Sequence, residues 1–264
     1  MIVSNVLVGR QSSLYCLLLA SLCLCLGCQP SHKKPLRIAT SANMQFAMQA
    51  LTAAFSKQND VECQLIVGSS GKLTAQIQQG APYDVFASAD LKYPQQVFQS
   101  GLAPSPPAIY AYGHLVVWSL QDSVCLSPDR WTDQQIRRIA LAQPQTAPYG
   151  KAALQTLEYY GLKDALTPKL VYGESIGQTS QFILSQAAQV GFTARSIVMA
   201  PGQKGQGFWK AIPPQAHDPI QQGVILLKTS AETAENAEKF YAFLFSPQAQ
   251  SILNTYGYTT DKEG

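Results

Sequence analysis

Charge is scarce in this chain of 264 residues: only 13% of its side chains are Asp, Glu, Lys or Arg, and the Lys and Arg residues form no long cluster. That scarcity argues against a nucleic-acid surface, which needs a basic face to neutralise phosphates. Setting aside residues 1–27 removes one basic residue, Arg10, and no acid, leaving 18 basic against 16 acidic residues and a net charge of +2. Catalytic signatures are missing too. No Gly-x-Ser-x-Gly elbow surrounds any Ser, and the three histidines, His32, His114 and His217, stand in unrelated contexts, so no oriented base for nucleophilic catalysis is in view. His114 falls in an apolar stretch and is read as a core residue of a strand. Asp84 and Asp90 are close enough in sequence to be weighed as a carboxylate pair, but one opens a strand and the other starts a helix, where packing and capping are their ordinary work.

Cysteine is almost absent from the body of the chain. Of six, Cys16, Cys23, Cys25 and Cys28 fall in the first 28 residues, and only Cys63 and Cys125 lie beyond. The latter two fit either a disulfide in an oxidising compartment or two isolated buried thiols. No apolar run reaches the roughly 20 residues of a spanning helix; Leu14 to Leu26 has the length of a secretory h-region. It runs into Leu24-Cys25-Leu26-Gly27-Cys28, which resembles a lipobox. The resemblance implies a signal peptide over 1–27, acylation of the Cys28 thiol after cleavage, and a tether over 28–35. Cys25 departs from the pattern, since Leu usually stands three before the modified cysteine; plain secretion and an uncleaved anchor are the alternatives.

What is present is alternation. Leu36 to Thr40 reads as a strand, Met44, Met48, Leu51 and Phe55 as a helix ending before Asn59-Asp60, Val61 to Val67 as a strand, Lys72 to Gln79 as a helix, and Asp84 to Ser88 as a strand. This is the pattern of an α/β sheet. It breaks around Pro104 to Pro107, after which Leu115 to Trp118 is a strong strand. A second set follows, with strands at Ile136 to Leu141, Lys169 to Tyr172 and Gly191 to Thr193 and helices at Gly150 to Tyr160 and Gln178 to Ala188. Gly202 to Gly207 reads as a loop, Gln222 to Leu227 as a returning strand, and the rest as helix through Phe240, Phe243 and Ile252. The expectation is two α/β lobes, the second (115–221) inserted into the first (36–114 and 222–264), joined by crossovers near 112–118 and 219–224. A ligand in such a fold sits between the lobes, at the carboxyl ends of strands.

One junction stands out. Leu65-Ile66-Val67-Gly68-Ser69-Ser70-Gly71 carries an apolar strand into two hydroxyl residues between glycines, with a helix behind them. The first N–H groups of a helix have no partner, its dipole adds positive character, and serine hydroxyls add donors, which together suit an anion. Gly68 and Gly71 are expected to let the backbone approach a ligand. The plainer reading is an N-cap or a turn. Three more junctions have the same character: Ala39-Thr40-Ser41-Ala42-Asn43, where Asn43 brings an amide donor; Ala147-Pro148-Tyr149-Gly150, where the N–H groups of Tyr149 and Gly150 are expected to face outward; and Glu174-Ser175-Ile176-Gly177-Gln178.

These strings, with Ala75-Gln76-Ile77, Gly80-Ala81-Pro82-Tyr83-Asp84-Val85-Phe86 and Ala87-Ser88-Ala89-Asp90, resemble the periplasmic molybdate-binding proteins of ABC importers, in order from about Leu36 to Tyr258. The resemblance implies a two-lobed, type II periplasmic-binding-protein fold and a monomeric, non-enzymatic carrier of molybdate or tungstate that serves an ABC permease. It also implies a ligand set of neutral donors, Asn43 with Ala42 beside it, Ser70, Tyr149 and Ile176, with no cofactor and no metal beyond that of the oxyanion. Two departures accompany it: Ala42 stands where some members carry Ser or Thr, and Gly191-Phe192-Thr193-Ala194 has no Tyr where some members have one. On this reading Ser70→Ala removes one donor with little loss of fold. The rivals are a binding protein for phosphate, sulfate, an organic acid or ferric ion, the last drawing on Tyr110, Tyr112, Tyr149, Tyr159 and Tyr160, and an enzyme on the same fold.

Overall fold

The computed structural model describes residues 34–121, 126–228 and 231–260. The lipidation candidate Cys28, His32 and Cys125 lie outside them; Cys63 is a free, half-buried thiol.

Two five-stranded sheets organise Pro35 onward. The first has the order β2-β1-β3-β10-β4, built from β1 (Leu36–Ser41), β2 (Cys63–Gly68), β3 (Val85–Ser88), β4 (Ala108–Gly113) and β10 (Ile220–Leu226). The second has the order β7-β6-β8-β5-β9, from β5 (Leu115–Ser119), β6 (Ile139–Ala142), β7 (Leu170–Gly173), β8 (Val190–Ala194) and β9 (Phe208–Ala211). Within each, three strands run parallel and the sheet is extended by antiparallel strands: β10 pairs with β3 and β4, and β5 with β8 and β9. The chain passes from one sheet to the other between Gly113 and Leu115 and returns between Ala211 and Ile220.

Helices cover the sheets because their apolar residues recur at three- and four-residue spacing. In the first lobe, α1 (Gln45–Asn59) buries Met48, Leu51 and Phe55, and it ends where Asp60 turns left-handed. It shares one face of the sheet with α8 (Ala231–Leu244) and α9 (Pro247–Thr255), Phe55 meeting Phe240 edge to face at 5.1 Å. The opposite face carries α2 (Ser70–Gln78) and α3 (Lys92–Gln99), packed through Leu73, Ile77, Tyr93 and Val97. The second lobe has one continuous core, in which Trp131 meets Phe192 and Tyr160 edge to face, enclosed by α4 (Pro148–Tyr159), the short α5 (Lys163–Leu166), α6 (Ile176–Leu184) and the short α7 (Arg195–Val198).

Several expectations need correction. The segment before β5 is itself a strand, β4, recruited by β10 although its Ala-Ile-Tyr-Ala-Tyr-Gly sequence has little apolar contrast. A fifth strand, β9, closes the second sheet although all four of its residues are exposed, because pairing with β5 satisfies its backbone without a buried face. His114 is not in a strand: it is the half-buried residue between β4 and β5, at the first crossover.

Candidate functional site

All four strand-to-helix junctions meet in one place. Ser41 at the end of β1 with Ala42 and Asn43 of the 3-10 turn that follows, Ser69 and Ser70 from the start of α2, Ala147, Pro148 and Tyr149 from the start of α4, and Ile176 from the start of α6 line a single small cavity, with Ala89 behind them. Two of these walls belong to each lobe. The cavity measures about 10 Å³ traced by the centre of a water-sized sphere, room for one compact ion and not for an organic solute. None of its lining residues among those described is charged.

The donors follow from how each helix begins. A first-turn N–H has no carbonyl one turn back to bind, so the N–H groups of Asn43, Ser70, Tyr149 and Ile176 have no intrahelical partner. At α4 the N-cap is Ala147, which has no side chain to offer, and Pro148 has no N–H. The Gly150 N–H does not face the cavity as expected, because it turns back to the Ala147 carbonyl at 2.9 Å. That leaves Tyr149 as the donor of this turn. At α6, Ser175 caps Gln178, and Gly177 faces Ala42 of the other lobe: a Cβ there would come within 3.8 Å of the Ala42 Cβ.

The hydroxyls divide differently from the expectation. Ser70 Oγ accepts from the Ala89 N–H at 3.1 Å, which fixes its lone pair and leaves its proton to donate. Ser41 and Ser69, at 2% and 3% exposure, line the cavity, and their hydroxyls have no hydrogen-bond partner among the described residues. Ser69 occupies the N-cap position of α2 yet makes no cap bond. A buried hydroxyl without a partner carries a desolvation cost of about 1 to 3 kcal/mol, which an anionic acceptor relieves. In the sequence these two residues were overshadowed by their neighbours; the signal that could have singled them out is their place as the last residues before a helix on both first-lobe junctions.

The Asn43 amide is engaged away from the cavity, contrary to expectation. Its Nδ2 donates to Gln222 Oε1 at 2.8 Å and to the Tyr258 hydroxyl at 3.0 Å. The Tyr258 and Ser196 hydroxyls reach the Asn43 carbonyl at 2.9 and 2.7 Å. This buried knot joins the first lobe, the returning strand, the C-terminal segment and α7 of the second lobe. Burial pushes the phenols of Tyr110, Tyr149 and Tyr258 upward, so they stay protonated at neutral pH and add no charge behind the cavity.

The glycines of the Gly68-Ser69-Ser70-Gly71 turn serve packing, not direct ligand approach. A Cβ on Gly68 would press on Leu73 at 3.3 Å, and one on Gly71 would lie 3.0 Å from the Thr146 Cα across the cleft. The Gly71 N–H donates to the Thr146 carbonyl at 2.9 Å, and the Tyr93 hydroxyl donates to that of Gln145 at 2.7 Å. With the exposed Lys72–Glu174 ion pair at 2.6 Å, these contacts hold the lobes together over the cavity.

The rival residues have structural work. Asp84 accepts from the Arg37 N–H and the Thr233 hydroxyl, both at 2.7 Å, tying β3 to β1 and α8. Asp90 Oδ1 accepts from Ser88 Oγ and from the Tyr93 N–H at the start of α3. Tyr159 and Tyr160 stack edge to face on the second lobe, and Tyr110 is buried in the first. His114 and His217, unrelated in sequence, line one cavity at the crossovers.

Comparison with known proteins agrees with this architecture. The family described as bacterial extracellular solute-binding protein matches residues 36–259. The molybdate-binding protein ModA of Rhodobacter capsulatus is 36% identical, over 84% of this chain and 87% of its own. The putative ABC transporter substrate-binding lipoprotein YvgL of Bacillus subtilis is 25% identical over 96% of this chain and 99% of its own. Among solved structures, the periplasmic molybdate-binding protein of Azotobacter vinelandii superimposes with a TM-score of 0.81 at 35% identity, over 86% of this chain and 99% of that one. The chain therefore belongs to the bacterial extracellular solute-binding proteins and shares their two-lobed, type II fold.

Proposed function

We propose that this protein captures molybdate, and tungstate equally, in the uncharged cavity between its lobes and delivers it to an ABC permease. The observation that carries the reading is the convergence of four helix starts, two from each lobe, on a space for one compact ion with no charged lining residue. Relatives named for molybdate binding, similar along nearly the whole body of the chain, support that choice of ion. A buried dianion without a counter-charge is costly unless its hydration shell is replaced in full. Fixed N–H dipoles and serine protons supply that replacement, and they do so at fixed distances. Molybdate and tungstate are nearly equal in size, whereas sulfate is smaller and leaves donors unmatched.

Calorimetric titration tests this directly. Molybdate and tungstate bind one to one with dissociation constants within about threefold, and sulfate and phosphate bind about 100-fold more weakly or worse, as expected if one or two donors go unsatisfied. Sulfate binding as tight as molybdate binding overturns the assignment. The serines refine the test. Ser69→Ala weakens molybdate binding by about 1 kcal/mol without lowering the unfolding free energy of the unliganded protein, since its hydroxyl has no other partner among the described residues and its desolvation cost goes with it. Ser70→Ala weakens binding by about 1 to 3 kcal/mol and also costs stability, because it strands the buried Ala89 N–H; this replaces the expectation of an intact fold.

As a member of an extracellular solute-binding family the protein works outside the cytoplasm. We further propose that it is a monomer held at the membrane by acyl chains on Cys28; the lipoprotein name of the Bacillus relative supports the anchor. Mass spectrometry of the mature N-terminus is expected to find an acylated Cys28, and an unmodified terminus downstream of it rejects the anchor.

A further inference from the structure

A second, larger cavity lies where the chain crosses between lobes. It measures about 320 Å³ traced by the centre of a water-sized sphere, within the range of small-molecule pockets and far larger than the single-ion cavity of the cleft. Its walls come from both crossovers, with Gly113, His114 and Leu115 on one side and His217, Pro219 and Ile220 on the other, and from Ile212 and Thr259. Most of that surface is apolar.

One cation, Arg195, lines the cavity among the described residues. Arg195, the first residue of α7, is held by its own N–H donating to the His114 carbonyl at 2.9 Å. Its stem lies against Gly257, whose φ of +79° and missing side chain make room: a Cβ there would sit 3.0 Å from Arg195 Cγ and Cδ. The guanidinium carbon stands 5.9 Å from the centre of the Trp209 ring. Yet Arg195 Nε is buried with no hydrogen-bond partner among the described residues. No Asp or Glu among the described residues lines the cavity. Asp218, beside His217 in the chain, is engaged by Lys151 Nζ at 2.9 Å and Gln155 Nε2 at 2.7 Å.

Two imidazoles complete the polar edge. His217 Nδ1 lies 2.7 Å from the Asp218 carbonyl, and His114 Nε2 lies 3.3 Å from Thr259 Oγ1. Burial holds both below the usual histidine range, with the Arg195 charge adding to the effect at His114, so they face the cavity as neutral groups at pH 7. Among the described lining residues the permanent charge is therefore that of Arg195. The planar guanidinium of Arg195 matches a planar carboxylate, and the apolar walls match a hydrocarbon body. An inorganic oxyanion would leave those walls uncovered.

We propose that this hinge cavity is a second ligand site, for an organic monocarboxylate with a compact apolar or aromatic body, bound through Arg195. The site is separate from the cleft in residues, size and charge, and its occupation requires no molybdate.

Benzoate is the test ligand, titrated calorimetrically into the mature chain at constant ionic strength, with benzyl alcohol as its uncharged counterpart. One saturable benzoate site is expected, present with and without saturating molybdate, and benzyl alcohol binds at least tenfold more weakly. Arg195→Gln raises the benzoate dissociation constant at least tenfold. Ala211→Trp, which fills the cavity from the exposed strand β9, does the same and decides the matter if the arginine variant does not fold. Both variants keep the molybdate affinity of the parent. The proposal is overturned if benzoate shows no saturable binding, if molybdate displaces it one for one, if benzyl alcohol binds as well, or if the folded variants bind benzoate as the parent does.

Discussion

Gly150→Ala lowers the unfolding free energy by about 3 kcal/mol and takes molybdate affinity down with it. The cause is a single methyl group. Gly150 is the third residue of α4, and a Cβ at that position would lie 2.1 Å from the carbonyl oxygen of Ala142 and 2.7 Å from its carbon. Ala142 ends β6, which is hydrogen-bonded on both sides in the second sheet, so the strand cannot retreat. The helix must move instead, by more than an ångström, and it carries Ala153 and Leu157 out of the lobe's core as it goes. Overpacking of a well-filled site costs about 1 to 3 kcal/mol, and a clash with fixed backbone belongs at the upper end. For a domain of this size that lowers the melting temperature by about 6 to 12 °C. Binding falls for a separate reason: the displaced first turn takes the Tyr149 N–H away from the cavity. A thermal scan of the unliganded variant that coincides with the parent's would reject this account of the α4 contact.

The α/β class and the two lobes were legible in the sequence because they follow from periodicity. Met48, Leu51 and Phe55 recur at helical spacing, and β1, β3, β5 and β6 are short apolar runs that only a strand buries on both sides. The same local logic located the four junctions, since each places small or capping residues between a strand and a helix. What the sequence does not express is where side chains point after the junctions meet. Asn43 offered an amide to the cavity until Gln222 and Tyr258, 179 and 215 residues away, took both of its protons. Ser70 was the residue singled out as donor; the fold ties its Oγ to the Ala89 N–H and leaves the hydroxyl of its neighbour Ser69 without a partner among the described residues. β4, β9 and the shared cavity of His114 and His217 were missed for the same reason: pairing partners supplied from distant segments made them. Gly71 shows the principle most sharply, because its lack of a side chain makes room for the backbone of Thr146 in the opposite lobe.

Gly71→Val is expected to leave the isolated lobes intact and to raise the molybdate dissociation constant by about 100-fold, equivalent to about 3 kcal/mol. Gly71 is the second residue of α2 and has an ordinary helical place, so valine brings no forbidden backbone conformation there. Within the first lobe its nearest neighbour is the end of a movable side chain, the Tyr93 hydroxyl at 3.0 Å from the Cβ position. Across the cleft it would press at 3.0 Å on the Thr146 Cα and Cβ, and the two γ-methyls of valine extend that contact past tolerance. The hydrogen bonds from the Gly71 N–H to Thr146 and from Tyr93 to Gln145 then cannot form together, and the second-lobe donors Tyr149 and Ile176 stay out of reach of an ion seated on Ser70. A ligand that depends on donors from both lobes favours the closed arrangement only by the contacts unique to it. Losing those contacts removes the driving force for closure along with the affinity. X-ray scattering separates this from general damage: the parent compacts on saturation with molybdate, whereas Gly71→Val stays at its unliganded radius of gyration with an unchanged melting temperature. If the valine variant compacts and binds as the parent does, Gly71 is not what allows the lobes to close.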